Sequence, residues 1–440
     1  MKKTAFRPNI LYLHSHDTGR YVQPYGYAVP TPNIQRLAER GITFRQAFSA
    51  APQCSPSRAA LLTGQYPHQA GQVGLVNRGF VMKAYDRHII ATLKKHGYQS
   101  LLCGVQHIAR TAGDIGYDTI LPSRGGAVEQ AKNVAQSFES EMAGKPFFLS
   151  AGFGETHRGF PEDEDGRYCR PPRPIADAHE TRRDMAGYIK RAVELDNAYG
   201  IILDALERAG LTENTLVICT TDHGLAFPKM KCNLTDHGTG VLLIMAGPAG
   251  CSGGKVVDAL VSQIDVFPTL CDVLNIEKPP WLEGVSLMPV ISGEKDQVRE
   301  AVYTEMSFHC TYEPMRAVRT QRYTYIRRFA SRGHVQLPNC DPGLTKTMMM
   351  QAGWKNHPAA EEELYDLIFD PNEAWNRAAD PALRHVRDTL RERLERWMNE
   401  TDDPLLKGPM PVPKDAILSD PDDEEPQDIW KKHKQPKGYA

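Results

Sequence analysis

The sequence predicts an α/β fold, with a large, mostly parallel sheet flanked by helices and a smaller C-terminal α+β subdomain packed on it. Three observations predict this. Short runs that are apolar at nearly every position, such as residues 10–13 (ILYL) and 215–220 (TLVICT), read as strands buried on both faces, the signature of a parallel sheet. These runs alternate with helical stretches through the first 300 or so residues. Beyond that point the pattern turns to alternation with a period of two, as in 316–327 (RAVRTQRYTYIR), which suits antiparallel strands.

In chain order, 10–13 is a strand and 33–41 (NIQRLAERG) a helix stopped by glycine. Residues 57–64 start a helix that ends at Gly64, and 88–97 form another. Strands are expected at 99–103 and 146–152, a long amphipathic helix at 185–209, a strand at 215–220 and a last long helix at 382–400. The expected division is a main α/β domain over 1–300, an α+β subdomain over 301–401, and a tail over 402–440. The tail is rich in proline and charge, and is expected to be extended or partly disordered.

Composition bounds the function. With 52 Lys+Arg against 54 Asp+Glu, the net charge of -2 leaves no basic excess for a nucleic-acid partner. No apolar run approaches the ~20 residues needed to span a bilayer, so no membrane association is expected. The start, Met1-Lys2-Lys3, is basic but runs into a strand without a small-residue cleavage site. The nine cysteines are scattered without CxxC spacing, and an odd count fits reduced thiols; a cytoplasmic location is expected.

Reactive groups in such a sheet gather just past the carboxyl ends of strands. His14-Ser15-His16-Asp17 follows the first strand and Asp222-His223 follows the strand at 215–220, so Asp17 and Asp222 can point into one crevice. Either aspartate alone could equally cap a turn. Two carboxylates and imidazole nitrogen, together with an oxygen from a nearby nucleophile, would form a divalent-metal site. His107 follows the strand at 99–103, and His157-Arg158 follows the one at 146–152. Cys54 opens Cys54-Ser55-Pro56-Ser57-Arg58, where a cysteine near a helix start is either a thiolate nucleophile or a buried filler.

The order Cys-x-Pro-x-Arg followed by Ala59-Ala60-Leu61-Leu62-Thr63-Gly64 resembles the sulfatase signature, and the chain is similar to that family over nearly its full length up to the tail. The resemblance implies an alkaline-phosphatase-like fold and oxidation of Cys54 to formylglycine by a separate maturation enzyme. The hydrated aldehyde would be the nucleophile, with Arg58 stabilising its oxygens and the developing charge. His16, Asp17, Cys54, Asp222 and His223 become metal ligands, with calcium the implied ion and manganese or zinc the alternatives. His107 assists turnover of the hydrate, His157 protonates the leaving group or holds the sulfate, and Lys231 holds a sulfate oxygen.

Among sulfatases the chain looks most like the sulfamidase group. The stretches that carry this are 146–158 (PFFLSAGFGETHR), 224–234 (GLAFPKMKCNL), Pro314-Met315-Arg316, and 363–367 (ELYDL) followed by Asp370-Pro371-Asn372-Glu373. This implies a small anionic substrate, a sulfated saccharide such as N-sulfoglucosamine, with Arg158, His309 and Arg316 as substrate contacts; a homo-oligomer is left open. Two departures stand out. Many sulfatases carry Asp-Asp and Asp-Asn where this chain has His16-Asp17 and Asp222-His223, and a lysine where it has Val105. The Asp-His pair resembles phosphonate monoester and phosphodiester hydrolases with the same signature, and imidazole shifts metal preference from calcium toward manganese or zinc.

Overall fold

Strand β1 (Asn9–Ser15) has all seven residues buried, and the apolar run continues into His14 and Ser15 because both faces are covered. A computed structural model describes residues 7–140, 144–330 and 332–431; the basic start Met1–Thr4 and the end of the tail from 432 lie outside the described residues. The other strands of the main sheet are β2 (Ile42–Phe48), β3 (Gln99–Gly104), β4 (Thr119–Leu121), β5 (Phe147–Gly152), β6 (Thr215–Thr221), β7 (Leu243–Ala246) and β8 (Lys255–Ser262). Their order across the sheet is β4-β3-β5-β1-β6-β7-β2-β8. β1 runs parallel to both β5 and β6, while β7 is antiparallel to both β6 and β2. The sheet is therefore mixed at one position.

Two apolar layers sandwich this sheet. One face packs Ile10, Phe44, Phe148 and Ile218 against the helices Cys54–Thr63 and Val266–Leu274. The other packs Leu11, Leu13, Leu149 and Val217 against Pro32–Arg40, Ala127–Ser140 and the 30-residue helix His179–Arg208. Successive side chains alternate between these layers, so one strand feeds two cores.

A second sheet, β9 (Val302–Phe308), β10 (Tyr312–Arg319), β11 (Tyr323–Arg328) and β12 (Glu362–Asp366), is antiparallel throughout. The helix Arg384–Glu400 covers it with Leu390, Leu394 and Trp397. The segment 402–431 lies across both sheets' surroundings, and Arg78 bonds Ser419 and the carbonyl of Pro426. Lys346 likewise holds Glu425 at 2.9 Å. Among the described residues no helix is long and apolar enough to cross a membrane.

Candidate active site

The four strands that end in polar clusters are neighbours in space, in the order β3-β5-β1-β6. His107, His157, His16-Asp17 and Asp222-His223 therefore leave the sheet side by side. Asp17 and His107 adopt φ of 51° and 52°, left-handed values unusual for non-glycine residues, and such backbones cluster at functional sites. Gly104 and Gly152 are register partners where the chain leaves β3 and β5. A Cβ on Gly152 would lie 2.4 Å from the His14 ring, so only glycine fits.

Cys54 reaches the same point from the other side. It is the first residue of a ten-residue helix buried over its whole length, so the site faces a helix N-terminus, which favours negative charge. Pro56 in the first turn removes an N–H that has no intrahelical partner there.

His16, Asp17, Cys54, Asp222 and His223 each place one donor atom within 4.8 Å of all the others. His16 Nδ1 lies 3.1 Å from both Asp17 Oδ1 and Asp222 Oδ2. His223 Nε2 lies 3.1 Å from Asp17 Oδ1 and 3.4 Å from Cys54 Sγ. The carbonyl of Gly224 lies 3.0 Å from His223 Nδ1, which must therefore carry the proton it donates. That turns Nε2 toward Asp17 Oδ1 and Cys54 Sγ, where either a ring proton or a bound cation can lie between them. With His16, Asp222 and Cys54 converging on the same point, the residues present fit a divalent metal.

Two cations brace the carboxylates. Arg58 donates to Asp222 Oδ2 and to the Ser15 carbonyl, both at 2.9 Å, and its other arm meets His14 Nδ1 at 2.7 Å. Lys231 bridges Asp17 and Asp341 at 2.9 Å each. Burial pushes the Asp17 carboxyl up, but Lys231, His157, His223 and the His16 hydrogen bond together outweigh it and hold the group well below the usual carboxylate range. Burial, with Arg58 adding to it, draws His16 down to about 4 despite Asp222, leaving it unprotonated and able to ligate. The same burial raises the Cys54 thiol well above its ordinary value, although Lys231 opposes it. An unmodified Cys54 thus has little thiolate character, unlike the activated cysteines of thiol enzymes.

His157 stands at the mouth, 40% exposed, with Nε2 3.9 Å from Asp17 Oδ2. The His16 ring lies 4.8 Å from that of His157 and 5.6 Å from that of His107. His309 is buried, its Nδ1 without a partner among the described residues, and burial with Lys231 draws it down to about 3.

Two expected substrate contacts need correction. Arg316 is fully buried in an ion pair with Asp403, its Nη2 3.0 Å from Oδ1. Arg158 is clamped by Asp184 and the Ala226 carbonyl and stacks on Phe160 and Phe227. The structure places each guanidinium on a buried carboxylate that is not part of the metal-type donor set. The sequence reading missed Asp341, which follows Cys340 in a loop more than a hundred residues from Lys231 and carries no local pattern to mark it.

The family model described as Sulfatase matches residues 8–276, and one described as N-sulphoglucosamine sulphohydrolase, C-terminal, matches 230–356. N-sulphoglucosamine sulphohydrolase of Homo sapiens is 28% identical, with 91% of this chain and 92% of that protein aligned. Among solved structures, a 2-O GAG sulfatase superposes with a TM-score of 0.71 at 22% identity, covering 91% of this chain and 94% of that one. A phosphonate monoester hydrolase of Agrobacterium radiobacter has a TM-score of 0.68 at 20% identity, covering 94% and 100%. These two likenesses speak to the fold alone.

Proposed function

The chain belongs to the sulfatase family, and from that premise we propose that it hydrolyses a sulfate ester or N-sulfate of a sugar such as N-sulfoglucosamine. The observation that carries this reading is the position of Cys54 at a helix N-terminus, 3.4 Å from His223 Nε2 and inside a ring of metal-type donors. In this reading Cys54 is oxidised to formylglycine by a maturation enzyme, and position 54 supplies the attacking oxygen.

His16, Asp17, Asp222 and His223 would hold the divalent ion, calcium or, given two imidazoles, manganese or zinc. When bound, such an ion lowers the pKa of the attacking oxygen and offsets sulfate charge. Arg58 and Lys231 are the cations that stabilise charge building on the sulfuryl oxygens. His157, the exposed member, donates the proton to the departing oxygen or nitrogen, and His107 takes a proton as sulfate leaves. His309 faces the sugar. We further propose the division into a catalytic domain over 1–300 and a subdomain over 301–401, and a cytoplasmic location, which nine unpaired cysteines suit.

A second reading, hydrolysis of a phosphonate monoester or phosphodiester by the same nucleophile, is favoured by His223 in the donor ring. Both are tested on protein whose Cys54 conversion is verified by mass spectrometry, with calcium or manganese added. Sulfate release from glucosamine N-sulfate or an aryl sulfate, faster than hydrolysis of an aryl phosphonate, supports the first reading. The reverse order of rates establishes the second and sinks the first.

A further inference from the structure

Lys231, proposed above to stabilise the sulfuryl oxygens, is held partly from outside the donor ring: its Nζ lies 2.9 Å from Asp341 as well as from Asp17. Asp341 falls between the short turn Leu337–Asn339 and the helix Leu344–Gln351, so no sheet ladder fixes its carboxylate. Something else must hold this loop in place.

Lys346, in that helix, is 1% exposed, and a lysine so deeply buried has to be partnered. Its Nζ donates to the Leu337 carbonyl at 3.2 Å and to the Cys340 carbonyl at 2.9 Å, one at either end of the turn that precedes Asp341. The same Nζ meets the Glu424 carbonyl at 2.6 Å and Glu425 Oε2 at 2.9 Å. Three N–H groups face four acceptors, so none is spare. One side chain thus ties the loop of Asp341 to a segment 78 residues further along the chain.

That segment also grips the turn beside His309. The Ser419 N–H donates to the Cys310 carbonyl at 2.8 Å. Asn339 Oδ1 accepts from the N–H groups of Cys310 and Thr311 at 3.0 Å each, which joins this turn to the Asp341 loop. Arg78, 3% exposed, anchors the segment through Ser419 Oγ at 3.2 Å and the Pro426 carbonyl at 2.8 Å. Gly79, at φ 91°, lets it lie close, since a Cβ there would stand 2.4 Å from the Asp415 carbonyl oxygen.

We infer that Lys346 is a positioning residue: clamped by 415–428, it fixes the 337–341 loop so that Asp341 keeps Lys231 directed at the donor ring. Lys346 is not among the metal-type donors and acts through Asp341. The inference rests on the sulfatase reading for the reaction that Lys231 serves.

The test joins kinetics to amide exchange on the full chain, with conversion of Cys54 verified. Lys346→Met should lower kcat for sulfate release from glucosamine N-sulfate about tenfold, as when a partner behind a reacting group is lost, and leave KM within about twofold. In an Asp341→Asn background the same substitution should cost nothing further, because both break one linkage. Amide exchange in Lys346→Met, followed by mass spectrometry, should quicken in peptides covering 309–311 and 337–343 and stay unchanged in β1 and β6. An undiminished kcat, two losses that multiply, unchanged exchange in the two loops, or exchange that quickens in β1 and β6 as well would each overturn the inference. Should Lys346→Met fail to fold, Glu425→Gln, whose side chain is 33% exposed, carries the same measurements with an expected loss of about threefold. Exchange needs no turnover. Loops that loosen in a chain releasing no sulfate leave the clamp standing and sink the substrate reading, and the kinetic cycle is then read on the aryl phosphonate. Sulfate release with loops that stay tight removes the clamp alone.

Discussion

Two buried clusters in this molecule are made of the same residue types, yet only one has the makings of a reaction centre. Beneath the second sheet, His68, Glu305 and Asp403 come close enough together to resemble a metal site. There, Arg316 bonds Asp403 and lies 3.6 Å from Glu305. His68 Nδ1 meets Glu305 and Nε2 meets the Thr401 carbonyl at 3.2 Å, so both ring nitrogens face acceptors and the ring is an imidazolium. Two carboxylates oppose two cations, and each of these contacts joins a donor to an acceptor. At the strand ends, by contrast, five donor residues rather than three converge, with His223 Nε2 on Asp17 and Cys54 and His16 Nδ1 on two carboxylates at once. The difference teaches that residue type does not make a metal site; what counts is whether donors outnumber the protons and cations available to satisfy them.

The largest effect should come from Asp17→Asn. Sulfate release should fall about 10³-fold, as expected when charge stabilisation at a reaction centre is lost. The thermal midpoint of chelator-treated protein should stay level or rise, because a crowded carboxylate has been relieved. A matching loss of midpoint would show that Asp17 is a structural ion-pair residue like Asp403.

Arg316→Met should do the opposite, costing about 3–5 kcal/mol in denaturant unfolding because Asp403 and Glu305 are left buried without their cation. The double variant Arg316→Met with Asp403→Leu should recover much of that. A single variant of undiminished stability would mean that the lower cluster is not balanced as described.

The smallest effect is a pH dependence. Burial lowers His68, but Glu305 outweighs it and raises the ring above its ordinary value. A raised folded pKa means that the stabilisation is fully present below the unfolded value, near 6.5, and is lost as pH rises through the higher folded value. Unfolding free energy measured across that window should decline in the natural sequence and flatten in His68→Gln. Equal slopes would remove the imidazolium from the account.

Much of this was legible in the sequence because it is local. The runs at 10–13 and 215–220 became β1 and β6, and the clusters immediately after them converged because adjacent parallel strands end on the same side. β2, β4, β7 and β8 escaped notice. β7 has only four residues, and its antiparallel direction depends on partners far along the chain. Arg316 invited a substrate role because a strand-start arginine looks the same whether it faces solvent or a buried Asp403, 87 residues away. Asp341 shares that obscurity, since only the folded chain sets it against Lys231.

The helix that begins at Cys54 has a last consequence, one of timing. Every residue of it is buried, and Cys54 itself keeps only 2% of its surface. If Cys54 is the precursor proposed above, an oxidising enzyme has no way to grip the folded chain there. The modification belongs to the chain's youth, while 54–58 is still an extended ribbon, and a molecule that folds too early is sealed in its unconverted form.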